Sequence, residues 1–111
     1  MNTINFDQLY QSLLTGAESI AKTSFLQYFN QAKSDGTATL ESMKDNLQLW
    51  TAAVQTGAMT AEDLSYLVKE QADLDKMIAL KQAGLAEVQL DAFKNALVNL
   101  VIGTITSAIK V

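Results

Sequence analysis

Apolar residues recur at intervals of three and four along almost the whole chain, and strict two-residue alternation is nowhere sustained. An α-helix returns to the same face with this period, whereas a half-buried strand returns to it at every second residue. The pattern therefore predicts an all-α protein. We expect an antiparallel bundle of three to four helices that forms one domain over residues 1–111.

The interruptions in the pattern mark where each helix begins and ends. Asn5 and Thr60 are placed as N-caps, each followed three residues later by a side chain that completes a capping box. Gly36 and Gly57 are predicted to end the first two helices, because glycine is the usual residue at a helix C-terminus. The predicted helices cover about 5–35, 39–56, 60–83 and 85–110. The third is expected to bury one apolar face, made of Leu64, Leu67, Val68, Leu74, Met77 and Ile78.

Two other glycines leave alternatives open. Gly16 lies inside the first predicted helix, and we favour a continuous helix there because an interior glycine costs only about 1 kcal/mol relative to alanine. Gly84 either separates the third and fourth helices or lies within one long third helix, since the apolar pattern continues across it with little phase error. That long helix would have about 50 residues and span roughly 75 Å, so it would extend beyond its own bundle. No strong side-chain N-cap follows Gly84.

The last predicted helix changes in character partway along. Its first part has a charged face with Glu87, Asp91 and Lys94, whereas the same angular face is apolar from Val98 onward, with no charge before Lys110. An apolar surface of this extent requires cover, which the rest of the chain, a second copy, another protein or a membrane would provide. We predict that it forms an interface, with six large apolar side chains as anchors: Leu97, Val98, Val101, Ile102, Ile105 and Ile109.

Composition narrows the class of partner. Charged residues make up 18% of the chain and hydrophobic residues 49%, and so low a charged fraction suggests that a partner covers part of the surface. The net charge is −4 and all eight basic residues are lysines. The bidentate arginine contact with phosphate and a continuous basic stripe are therefore both missing, and no nucleic-acid partner is expected. We expect a homo-oligomer or another protein partner, with a membrane as a less favoured alternative.

The chain offers little catalytic chemistry. It has no histidine and no cysteine, which excludes Ser-His-Asp and Cys-His catalysis and zinc sites made of those residues. Glu70, Asp73 and Asp75 cluster on the third predicted helix, but a solvated face paired with Lys69 and Lys76 explains them better than acid–base chemistry or a calcium site. We expect no catalytic, cofactor-binding or metal-binding residue, and an enzyme that uses carboxylates is the least favoured function.

The remaining sequence signals concern location and function. The N-terminal residues lack the basic and apolar regions of a secretory signal, and no uninterrupted apolar stretch reaches the roughly 18 to 20 residues of a spanning helix. The sequence therefore predicts a cytoplasmic protein. The favoured function is a non-enzymatic helical interaction or structural module that self-associates through its C-terminal helix. The alternative is a soluble bundle that releases this helix to bind or insert into a membrane, although few lysines flank the helix.

Overall fold

The computed structural model of the protein describes residues 5–74 and 77–109. These residues form six α-helices and one 3₁₀ turn, and they contain no strand, which confirms the all-α prediction. In chain order the helices are α1 (Phe6–Ser24), α2 (Phe29–Ser42), α3 (Lys44–Thr56), α4 (Ala61–Asp73), α5 (Ile78–Gln82) and α6 (Glu87–Ile109).

Helix α1 begins where the sequence predicts but ends earlier. The Gln8 N–H donates a hydrogen bond to the Asn5 side-chain oxygen at 3.2 Å, which confirms Asn5 as the N-cap. The helix passes through Gly16, as expected, but it stops at Ser24 instead of continuing to residue 35. Phe25 then has φ −135° and ψ 44°, outside the helical region, and its half-buried ring packs against the core at the corner. A 3₁₀ turn links this corner to α2.

Gly36 does not end a helix, contrary to the prediction. It lies buried in the middle of α2, where a Cβ would be 3.4 Å from Cζ of Phe93 and 3.5 Å from Cβ of Ala17. An added Cβ would make only ordinary van der Waals contacts there, so the packing of α1 and α6 against α2 at this point does not require glycine. The helix break falls at Met43 instead, so the predicted helix over 39–56 is divided between α2 and α3.

The third predicted helix, over 60–83, also consists of two helices. Its start is confirmed: the Thr60 hydroxyl accepts a hydrogen bond from the Asp63 N–H at 3.1 Å, and the Asp63 carboxylate accepts one from the Thr60 N–H at 3.2 Å. Helix α4 ends at Asp73. Met77 precedes α5 with a left-handed backbone (φ 47°, ψ 54°), which cannot belong to a right-handed helix. The prediction of one buried face through this region is therefore wrong for the two exposed residues Leu74 and Ile78.

Gly84 separates α5 from α6, so the alternative of one long helix is wrong. Its φ is 98°, a conformation that glycine adopts without steric cost. The Gly84 N–H donates to the Lys81 carbonyl at 3.1 Å, and the Leu85 N–H donates to the Leu80 carbonyl at 3.3 Å. These are the two hydrogen bonds of a Schellman motif, which satisfies carbonyl groups at the end of α5.

Helices α1 and α2 pack antiparallel to one another. Glu18 in α1 pairs with Lys33 early in α2 at 3.8 Å, whereas the earlier residue Tyr10 meets Lys44, which lies just beyond the end of α2. Every helix contributes a fully buried side chain to one core: Leu13, Leu40, Leu47, Leu64, Leu80 and Phe93. The molecule is elongated, with principal extents of 46 × 22 × 19 Å.

Candidate functional site

Helix α6, which carries the predicted interface, has a weak N-terminal cap. Ala86, just before the helix, has no side-chain acceptor for the free N–H groups of the first turn. The side-chain oxygen of Gln89 accepts a hydrogen bond from the Ala86 N–H at 3.0 Å, which is only half of a capping box. Lateral packing therefore contributes more than this cap to holding α6 in place.

Helix α6 runs antiparallel to α1 and packs closely against it. Near the start of α6, the Phe93 ring meets Phe25 edge to face, with ring centroids 5.2 Å apart. Further along, Leu100 lies over Gly16, where an added Cβ would be 2.5 Å from Cδ1 of the leucine. Gly16 thus has a packing role inside α1: it leaves room for the end of the Leu100 side chain.

Four of the six predicted interface anchors are buried within the same chain: Leu97, Val98, Val101 and Ile105. The other two, Ile102 and Ile109, are half-buried and pack against the same core. When α6 stays packed on its own chain, two molecules that meet can therefore bury new apolar area from only two anchors, Ile102 and Ile109. The interface stays a prediction, and all six anchors can take part in it only if α6 leaves its own bundle.

One row of solvent-exposed residues in α6 forms a ridge that winds around the helix. The ridge contains every fourth residue: Glu87, Asp91, Asn95, Asn99, Gly103 and Ser107. Each four-residue step turns about 40° beyond one full rotation, so the five steps move the ridge by about 200°. The apolar face from Val98 onward is therefore mostly turned away from solvent, with Ile102 and Ile109 partly exposed. Helices α1 and α4 pack along α6 and supply its cover.

Large apolar side chains remain exposed on both sides of the Gly84 turn. Val88, in the first turn of α6, is 78% exposed, and Ile78, in α5, is 60% exposed. Leu74, just after α4, is 73% exposed. The other large exposed apolar residues of the described ranges are dispersed over the 3₁₀ turn, α3 and α4: Leu26, Leu49 and Tyr66. The large exposed apolar residues are thus closest together along the chain around α5.

A buried carboxylate on α2 holds the start of α5. Asp35 is only 6% exposed, and its two oxygens accept hydrogen bonds from the Ala79 N–H at 3.0 Å and the Leu80 N–H at 2.7 Å. These N–H groups have no partner within α5, and a negative charge is favourable at a helix N-terminus. The predicted helix over 5–35 would place Asp35 at its C-terminal end, beside Gly36. Its actual partners lie 44 and 45 residues away, so no local motif could reveal them.

Two buried hydroxyl groups have no hydrogen-bond partner among the described residues: those of Tyr10 and Thr51. Burial raises the pKa of the Tyr10 hydroxyl, and the nearby charge of Glu41 raises it further. The Lys44 ammonium lies 4.7 Å from the centre of the Tyr10 ring and contacts its face. A catalytic hydroxyl requires a neighbouring base to activate it. Neither hydroxyl has such a base within hydrogen-bond distance in the described part of the chain.

The described acidic residues of the third predicted helix do not form a recognisable site. Glu70 and Asp73 are exposed on α4, whereas Asp75 and Lys76 lie outside the described residues. Within residues 5–74 and 77–109, no group of three or more His, Cys, Asp or Glu side chains is placed to hold a metal ion.

Among the described helices, α6 has the length and apolar composition that crossing a membrane requires. In its most apolar 18-residue window, 28% of the residues are buried, so α6 is less enclosed than a central core helix. The uninterrupted apolar stretches of the sequence are too short to span a membrane. The 23-residue helix is long and apolar enough when its polar residues are included. Length and composition do not by themselves separate a spanning helix from a partly buried helix of a soluble bundle.

No protein-family model, curated protein or solved structure matches the chain. Its function must therefore be inferred from the environment of α6 and of the turn that precedes it.

Proposed function

We propose that the protein is a non-enzymatic helical interaction module that self-associates through α6. The observation that carries this proposal is the partial exposure of Ile102 and Ile109 beside four buried anchors of the same helix. The two isoleucines are two helical turns apart and therefore lie on one side of α6. A second copy that presents the same side would bury both pairs, in the symmetric arrangement of most dimers.

The contact between two closed molecules would be weak if it involved these side chains alone. A fully buried isoleucine contributes about 1.5–3 kcal/mol. Less than half of each side chain is still exposed, so the four side chains that meet in a dimer would contribute at most about 3–6 kcal/mol. Association itself costs about 4 kcal/mol or more in lost translational and rotational freedom. A stable dimer therefore needs more apolar burial than Ile102 and Ile109 supply.

Ile102→Asp tests the proposal by placing a charge on the contact. We expect a monomer by light scattering after size exclusion, with helical circular dichroism retained, where the wild-type protein is a dimer. Leu49→Asp is the matched control, because Leu49 is equally apolar and 68% exposed but lies on α3. This control should leave the dimer intact.

A wild-type protein that is monomeric at every concentration would contradict the proposal. Ile109→Asp provides a second variant in case Ile102→Asp unfolds, since Ile109 lies in the last turn of α6, where disruption of the bundle is smaller. If both variants remain dimeric, the side of α6 that carries Ile102 and Ile109 is not the contact. If the wild type is monomeric and Ile102→Asp unfolds, the face belongs to the core of the chain.

A second candidate function is membrane binding by a released α6, which the length and composition of this helix favour. The net charge of −4 opposes binding to anionic lipid. The test is co-sedimentation with vesicles of zwitterionic lipid and, separately, of anionic lipid over a range of pH. Lipid-dependent sedimentation that Ile102→Asp abolishes would favour this function. The absence of sedimentation with either lipid at any pH would eliminate it.

A further inference from the structure

We infer that two copies associate by exchanging α6, so that this helix packs on the α1 and α4 of the partner molecule, with the Gly84 turn as the hinge. This inference rests on the proposed self-association and specifies how the second copy binds. The contacts of Phe93 with Phe25 and of Leu100 with Gly16 would recur between the two molecules. The four buried anchors thereby become intermolecular anchors without losing any burial.

The turn between α5 and α6 is short and depends on one glycine. Residues 83–86 alone connect the two helices. Gly84 has φ 98°, and a Cβ at this position would meet no described atom within 4 Å. The turn therefore requires glycine for its backbone conformation and not for space. If Gly84 adopts a helical φ instead, α5 continues into α6 and directs it away from its own α1. We call this the open form, and the molecule whose α6 packs on its own α1 the closed form. Exchange of an identical element about a hinge is a low-cost route to a dimer.

The apolar pattern around the turn fits this open form. On a continuous helix, Ile78, Leu85 and Val88 lie within about 80° of one another. Ile78 and Val88 are both exposed in the closed molecule. In the exchanged dimer the two hinge helices lie at the centre, where these residues can face their counterparts. Lys81 shares the same arc, and its aliphatic stem can lie along the stripe while its ammonium stays in water. Exchange thus buries apolar area that the closed molecule leaves in solvent.

The Asp35 cap determines where the hinge lies. It binds the first N–H groups of α5, and Leu80 of the same helix is fully buried, so α5 is fixed to α2. On the other side of the turn, the start of α6 has only the Gln89 side chain as a cap. The weakly capped helix end therefore lies immediately after Gly84, so α5 can stay in place when the lateral packing of α6 is transferred to the partner.

Gly84→Ala tests the hinge. Alanine disfavours the positive φ of the closed turn and favours the helical φ of the open form, so we expect the dissociation constant of the dimer to fall by about tenfold or more. Gly57→Ala is the matched control, because Gly57 also has positive φ (85°) and open space at its Cβ, but it lies between α3 and α4. The control should destabilise the fold and leave the dissociation constant unchanged. Sedimentation equilibrium over a range of protein concentrations measures both.

Mixed disulfides test the exchange itself. The chain has no cysteine, and a Cβ at position 16 lies 3.3 Å from Cγ of Leu100, close enough for a disulfide between introduced thiols. Chains with Gly16→Cys are unfolded and refolded together with chains carrying Leu100→Cys, and are then oxidised. Exchange predicts a disulfide between the two kinds of chain, above the level that either variant forms alone.

Each outcome decides between the two proposals. A mixed disulfide and a tighter Gly84→Ala dimer support exchange. A wild-type dimer without the mixed disulfide overturns exchange and leaves self-association standing. Equal effects of Gly84→Ala and Gly57→Ala on the dissociation constant overturn the hinge. Monomers at every concentration, for both the wild type and Gly84→Ala, overturn exchange and self-association together.

Discussion

Asp35→Ala removes the carboxylate that accepts hydrogen bonds from two backbone N–H groups at the start of α5. The N–H of Leu80 is buried and that of Ala79 is partly buried. A buried N–H that loses its acceptor costs about 1–3 kcal/mol, because no water replaces the lost oxygen. The partly buried group carries a smaller penalty, and the favourable charge at the helix N-terminus adds about 0.3–1 kcal/mol. We therefore expect Asp35→Ala to lower the free energy of unfolding by about 2–4 kcal/mol.

Urea denaturation measures this loss as a shift of the midpoint at constant slope. Asp63→Ala is the control, because Asp63 also accepts a backbone hydrogen bond at a helix start, that of Thr60 at 3.2 Å, but in an exposed setting. Water replaces that acceptor, so the control should cost only about 0.5–1 kcal/mol. If Asp35→Ala costs no more than Asp63→Ala, the argument that burial makes the Asp35 cap strong is wrong.

Other substitutions test individual contacts. Tyr10→Phe removes a buried hydroxyl without a described partner and should leave stability near pH 7 unchanged or raise it by up to about 1 kcal/mol. Because the pKa of Tyr10 is raised in the folded state, wild-type stability is retained below the ordinary tyrosine pKa of about 10 and is lost as the pH rises through the folded-state value. Urea titrations at rising pH should show a smaller loss for Tyr10→Phe, and an equal loss would contradict this assignment. Thr51→Val should raise the melting temperature slightly, and a clear decrease would mean that its hydroxyl forms a hydrogen bond. In Gly36→Ala the new Cβ lies 3.4 Å from Cζ of Phe93 and 3.5 Å from Cβ of Ala17, which are ordinary contacts, so the better helix propensity of alanine should stabilise the fold by about 0.5–1 kcal/mol. Gly16→Ala must displace the Leu100 side chain and should stabilise the fold less or destabilise it. The opposite order in urea denaturation would refute these contacts.

Local signals in the sequence predicted the features that depend on local interactions. The capping box of Thr60 and Asp63 and the N-cap at Asn5 are confirmed, because their hydrogen bonds span three residues. The class of fold followed from the apolar period alone. The break at Gly84 was one of two open alternatives, and the positive φ values of Met77 (47°) and Gly84 (98°) exclude the long helix.

Features that depend on contacts between distant parts of the chain could not be predicted from the sequence. Gly36 was predicted to end a helix because glycine is common there, whereas it lies buried inside α2, close to the Phe93 ring of α6. Asp35 caps a helix more than forty residues away. The cover over α6 was missed because its exposed ridge winds around the helix, a path that depends on where α1 and α4 lie.

The central claim is that α6 joins two copies of this chain. Sedimentation equilibrium of the unmodified protein over a wide range of concentrations tests it most directly. We expect the apparent mass to rise with concentration from 12.1 kDa, that of one chain, towards twice this value. A constant mass of 12.1 kDa at every concentration would contradict the claim.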